Sequence, residues 1–92
     1  MEEMFTPQLK KSIMVRKEGP EKEFLVVKDI EKGSVWVINP TGAKIIELCD
    51  GKHTVKEIID IICKSFEQTN YETVEKDVWE FIKKLSEFGI IE

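Results

Sequence analysis

The stretch from Ser34 to Asn39, closed by Pro40, constrains this chain most. Valine, isoleucine and tryptophan follow a glycine and precede a proline, which is the composition of a β-strand. Side chains alternate along a strand, so Val35 and Val37 point one way and Trp36 and Ile38 the other. Both faces are apolar. Such a strand lies between two layers or keeps one face for a partner. We expect Val35 and Val37 in the core, and Trp36 either packed under the N-terminal arm or facing a partner.

Before that strand the pattern predicts two more. A short apolar run, Ile13 to Val15, lies within Lys10 to Lys17. Residues Phe24 to Val27 lie within Glu23 to Ile30. Polar turns at Glu18 to Lys22 and Glu31 to Gly33 separate the three strands, and the second turn is short enough for a hairpin. Sequential strands usually pair, so the expectation is an antiparallel meander with the third strand at an edge. Residues 1–9 are expected to form a flexible arm ahead of a domain spanning 10–92. Met4, Phe5 and Leu9 are able to pack back, while Pro7 argues against regular structure there.

After Pro40 the period changes to that of helices. Asn39 is a good N-cap, and proline is tolerated in the first turn. Ala43, Ile45, Ile46 and Cys49 follow at helical spacing, and Asp50 and Gly51 end the helix. Thr54 and Glu57 have capping-box spacing. Val55, Ile58, Ile59, Ile62 and Phe66 then make one apolar stripe. Glu67 to Asn70 reads as a loop, and the third helix is expected to begin near Thr73. Its core stripe is predicted as Val74, Val78, Phe81, Leu85 and Phe88, stopped by Gly89. At 100° per residue, Trp79 and Ile82 fall on one flank with Ser86 between them and Lys83 beyond. The apolar arc is wider than a one-sided helix needs. Three strands and then three helices predict an α+β fold close to a winged helix-turn-helix module.

Composition narrows the function. The chain has 92 residues, so it is one domain. Hydrophobic residues are 41% and charged ones 35%, which fits an ordinary folded domain rather than a disordered one. The net charge of −4 argues against general nucleic-acid binding, which neutralises phosphates with lysine and arginine. Met1 to Thr6 is acidic with no apolar core, so no secretory signal is expected. No apolar run approaches the roughly 20 residues that span a bilayer. Cys49 and Cys63 form no CxxC pair and read as free thiols, which suits the cytoplasm. One histidine, His53, with no nucleophile motif near it argues against a catalytic machine. No metal or cofactor set is evident, and the reading is of a binder rather than an enzyme.

Two surfaces follow from physics. The edge of the third strand has no charged residue between Ser34 and Asn39, although exposed edges are usually blunted by charge. The flank of the last helix carries Trp79 and Ile82. If the two adjoin, a peptide can add as an extra strand with its side chains against the helix. The other readings are plain core packing or a homodimer through the free edge, and a winged-helix DNA-binding regulator. Against DNA binding, Glu75, Asp77, Glu80 and Glu87 outnumber Lys76, Lys83 and Lys84 on the last helix.

The run from Trp36 to Ile59 resembles the central signature of the PqqD-like family. That signature has a hydrophobic strand, a short helix ending in Asp50-Gly51, and Thr54-Val55 opening the next helix. The segment Val74 to Ile91 is similar to that family's last helix and its glycine-plus-aliphatic end. The likeness covers roughly residues 10–91. It implies a recognition element for ribosomally made, modified peptides (RiPPs), which holds a precursor's leader segment as an added strand. The partner it implies is a modifying enzyme, often of the radical-SAM class, in RiPP or quinone-cofactor biosynthesis. By position in the fold, the contacts it implies are Ser34, Val35, Trp36, Val37 and Ile38 on the strand. On the helix they are Val78, Trp79, Ile82, Lys83 and Ser86, with Lys83 able to meet an acidic leader residue.

Overall fold

The computed structural model describes residues 4–66 and 70–92. The expected arm residues 1–3 and the loop residues 67–69 lie outside them. Three strands, β1 (Ile13–Glu18), β2 (Phe24–Asp29) and β3 (Val35–Ile38), precede three helices, α1 (Pro40–Glu47), α2 (Val55–Ser65) and α3 (Tyr71–Glu87). The sheet is antiparallel in the order β1-β2-β3, so β3 is an edge. The fold is the expected α+β meander followed by helices.

β2 decides which side of the sheet is inside. Leu25, Val27 and Asp29 are buried, and the residues between them are exposed or half-buried. Cross-strand neighbours share a face. Ile38 pairs with Leu25 and Trp36 with Val27, so those two residues of β3 face inward. This corrects the expectation for Val35 and Val37. They are 56% and 72% exposed on the outer face, because the register gives the inward parity to Trp36 and Ile38.

The β2–β3 turn is locked by a buried carboxylate. Asp29 Oδ1 accepts the backbone N–H groups of Glu31 (3.0 Å) and Lys32 (3.2 Å). Gly33 takes φ +75° and donates its N–H to the Asp29 carbonyl at 2.7 Å. A left-handed conformation of this kind suits glycine.

The helix caps form as their spacing predicts. Asn39 Oδ1 accepts the Gly42 N–H at 2.8 Å. Thr54 and Glu57 cap each other reciprocally at 3.1 and 2.8 Å. α3 begins at Tyr71, two residues before the expected Thr73, because Asn70 caps it by accepting the Thr73 N–H at 3.1 Å. The core joins Leu25 and Val27 of β2 to Ile45 and Ile46 of α1, Val55, Ile58, Ile59 and Ile62 of α2, and Val74, Val78, Ile82 and Leu85 of α3. α3 departs from its expected stripe at two positions. Ile82 belongs to the core, at 3% exposure, and Phe88 does not, at 49%. The helix is rotated so that its buried centre falls between Val78 and Leu85, which leaves Phe81 and Phe88 on one shoulder.

The arm read as flexible is laced to the domain over its described part. The Val55 N–H donates to the Phe5 carbonyl at 3.0 Å, Gly51 to Pro7 at 2.9 Å, Leu9 to Cys49 at 3.2 Å, and Glu92 to Gln8 at 2.8 Å. Pro7 is buried. Segment 5–9 therefore joins the α1–α2 turn to the C-terminal residues.

Candidate functional site

The free edge of β3 is the starting point. The Asp29 N–H donates to the Ser34 carbonyl at 2.9 Å, across the β2–β3 ladder. Main-chain groups alternate sides along an antiparallel strand. Ser34, Trp36 and Ile38 therefore turn their N–H and C=O toward β2. Val35 and Val37 turn theirs toward open space. No charged side chain guards this edge between Ser34 and Ile38.

One flank of α3 stands beside that strand. Trp36 stacks on Phe88 with ring centroids 5.9 Å apart and an interplanar angle of 20°. Further along, Ile38 and Phe81 close over Gly42 of α1. A Cβ at Gly42 would lie 2.6 Å from Ile38 Cγ2 and 2.9 Å from Phe81 Cζ. Position 42 is thus crowded, and glycine suits it for space rather than for its backbone angle. Beyond this contact a cavity of about 360 Å³ opens, lined in part by Asn39, Thr41, Thr73, Asp77 and Phe81. Asp77, Phe81, Lys84 and Phe88 recur at three- and four-residue intervals and so share this flank.

The helix residues expected to complete the groove lie elsewhere. Val78 is buried, at 1% exposure, and Ile82 at 3%. Trp79, Lys83 and Ser86 lie on the flank turned away from the Phe81–Phe88 side. There, with Ile82, they line a separate cleft of about 890 Å³ that also takes in Phe5 and Ile91. The strand half of the expected site, Ser34 to Ile38, adjoins the Phe81–Phe88 flank instead. The sequence shows an apolar arc that is too wide, but it does not show which shoulder meets β3. Periodicity assigns Phe81 and Phe88 to the core stripe, and so gives no reason to single out Asp77 and Lys84 beside them.

Other chemistry in the described residues is structural. Asp50 holds the α1–α2 turn, accepting the N–H groups of Lys52 (2.8 Å) and His53 (3.1 Å) and meeting His53 Nδ1 at 2.9 Å. These bonds, the Lys52 one foremost, lower the Asp50 carboxyl to about 2. Burial, aided by the nearby Asp50 charge, raises the Cys49 thiol to about 12, and its Sγ donates to the Ile45 carbonyl at 3.3 Å. That thiol stays protonated at neutral pH, which does not suit a nucleophile. Among the described residues no group of three His, Cys, Asp or Glu side chains is placed to hold a metal ion. Among them, too, no helix is long and apolar enough to cross a membrane.

Comparison with known proteins gives one family and one fold. The family model described as coenzyme PQQ synthesis protein D (PqqD) matches residues 25–91. No curated protein matches the chain. Two solved structures share its fold with a TM-score of 0.81. One is TbiB1 in complex with the TbiA(beta) leader peptide, 20% identical, covering 92% of this chain and 94% of that one. The other is lasso peptide synthetase B1 complexed with the leader peptide, 21% identical, covering 95% and 98%.

Proposed function

This chain belongs to the PqqD family, and from that premise we propose that it is a non-catalytic recognition domain for the leader segment of a ribosomally made precursor peptide. The leader adds to β3 as a fourth strand. The observation that carries the reading is the uncharged free edge, where Val35 and Val37 offer their main-chain groups beside the Phe81–Phe88 flank of α3. The two structures that share this fold are both complexes with leader peptides, which supports it. The contacts in this reading are Ser34 to Ile38 with Asp77, Phe81, Lys84 and Phe88. The bound precursor is presented to a modifying enzyme, and a radical-SAM enzyme of RiPP or quinone-cofactor biosynthesis is the partner we put forward. Two free thiols suit work in the cytoplasm.

The energetics suit a reversible carrier. Each main-chain hydrogen bond contributes about 1 kcal/mol net. Each well-buried aliphatic anchor adds roughly 1.5–3 kcal/mol. After the cost of ordering the peptide, the sum is near −8 kcal/mol, or about micromolar. A second copy of the chain is the other occupant the open edge favours, and it excludes the peptide.

The test uses Val37→Pro. Because the Val37 N–H faces open space, proline there leaves the β2–β3 ladder intact, and edge strands tolerate proline. Calorimetric titration uses the synthetic leader peptide encoded beside this gene. Saturable binding by the wild type, weakened at least about tenfold by Val37→Pro with the fold retained, is the expected result. Equal binding by both proteins would overturn strand addition at β3. Light scattering on the same pair reports whether the edge also joins two copies.

A further inference from the structure

We propose that this groove is polarised by charge and selects a peptide carrying a carboxylate just C-terminal to its apolar anchors, received by Lys10, Lys32 and Lys84. The inference rests on the peptide-binding reading above and names the class of segment it accepts.

Direction comes first. Both pairings of the sheet are antiparallel. A fourth strand that continues the pattern enters beside Ile38 and leaves beside Val35. Its apolar side chains meet Ile38 and Phe81 around Gly42 and then the Trp36–Phe88 stack. Whatever follows them emerges where β3 begins, next to the β2–β3 turn and the end of α3.

Cations gather at that end. Lys32 Nζ lies 3.1 Å, and Lys10 Nζ 3.6 Å, from where a Cβ on Gly89 would stand. Two ammonium groups from different places, the β2–β3 turn and the stretch just before β1, thus converge on the residue after Phe88. Lys84 lies one turn before Phe88 on the same flank. All three are exposed. The ion pairs among the described residues are Arg16–Glu18, Lys17–Glu47 and His53–Asp50, and none of the three lysines is in one. The negative end of a helix attracts a cation. Here, however, the carbonyls of Lys84, Leu85 and Ser86 in its last turn already accept backbone N–H groups. Phe88 donates to Lys84 at 2.9 Å, Gly89 to Ser86 at 3.0 Å and Ile90 to Leu85 at 2.8 Å. Two like charges held together with no ion-pair partner among the described residues repel each other, and an incoming carboxylate relieves both. The opposite end of the groove has the reverse character, with Asn39, Thr41, Thr73 and the carboxylate of Asp77.

The experiment displays a random 12-residue peptide library to the wild type and to the Lys10→Glu/Lys32→Glu double variant. Both residues are exposed, so the fold is kept, and circular dichroism checks this. Lys10→Gln/Lys32→Gln serves in its place should the reversal unfold the chain. The expected result is that the wild type enriches peptides with Asp or Glu after an apolar pair. A selected peptide then weakens about five- to tenfold on the double variant, in low salt. Exchanging its acid for lysine restores binding to the reversed protein. Enrichment with no acidic preference, or affinity indifferent to the double change, overturns the proposal and leaves peptide binding standing. No enrichment by the folded wild type overturns both.

Discussion

At the residue scale, Asp50 shows how little of its role lies in its own identity. It sits on a turn, 38% exposed at its side chain, yet its carboxyl is lowered to about 2. The cause is local geometry, the Lys52 N–H first and the His53 side chain second. The sign follows directly. A carboxylate favoured in the fold stabilises it fully above the ordinary carboxylate range, and that contribution is lost as pH falls through about 2. An NMR titration of the Asp50 carboxyl carbon should therefore show a midpoint near 2. In His53→Ala the midpoint should rise only part of the way to the ordinary value, since the larger Lys52 contribution remains. A wild-type midpoint at the ordinary value would mean that the turn bonds do not persist in solution. The Thr54–Glu57 capping box was legible beforehand because both partners are three residues apart. The Asp29 lock was not, because an aspartate at the end of an apolar run has no distinctive spacing.

At the element scale, α1 brings Gly42 against Ile38 of β3 and Phe81 of α3. Gly42 is helical, where alanine would ordinarily be favoured by roughly 1 kcal/mol. A methyl group there meets Ile38 Cγ2 at 2.6 Å and Phe81 Cζ at 2.9 Å. Overpacking of this kind typically costs about 1–3 kcal/mol. Gly42→Ala should therefore destabilise the fold, read as a lower urea midpoint, and should move the two side chains that floor the proposed groove. A midpoint at or above the wild type would show that the three elements are not seated so closely. Existence and type of all six elements were legible, because alternation and helical period are properties of the local chain. The parity of β3 was not. Val35 and Trp36 are both apolar, so only the pairing of Trp36 with Val27 chooses between them.

At the scale of the whole molecule, segment 5–9 closes the structure. It bonds to Val55, Gly51, Cys49 and Glu92, joining the first half of the helical layer to the C-terminal residues. Deleting residues 1–9 leaves four main-chain partners without their bonds and exposes the apolar surface under Pro7 and Leu9. At about 1 kcal/mol for each bond, the loss is roughly 2–4 kcal/mol, because water recovers part of it. Urea unfolding of the truncated chain checks this, and an unchanged midpoint would mean the arm is a passive tail. The arm reads as loose in the sequence because its partners are 40 to 84 residues away and no periodicity marks such pairing.

What the amino-acid sequence determined by itself is therefore the set of elements, their order, their caps and an uncharged edge strand. Each of these depends on residues within a turn or two of one another. Only the tertiary structure decided which face of β3 is buried, which shoulder of α3 stands beside it, and that Lys10 and Lys32 meet at Gly89. A helix that is apolar over a wide arc satisfies its burial in more than one rotation. The choice belongs to the long-range packing of β2, α1 and the arm, and it divides the expected contact residues between two opposite flanks.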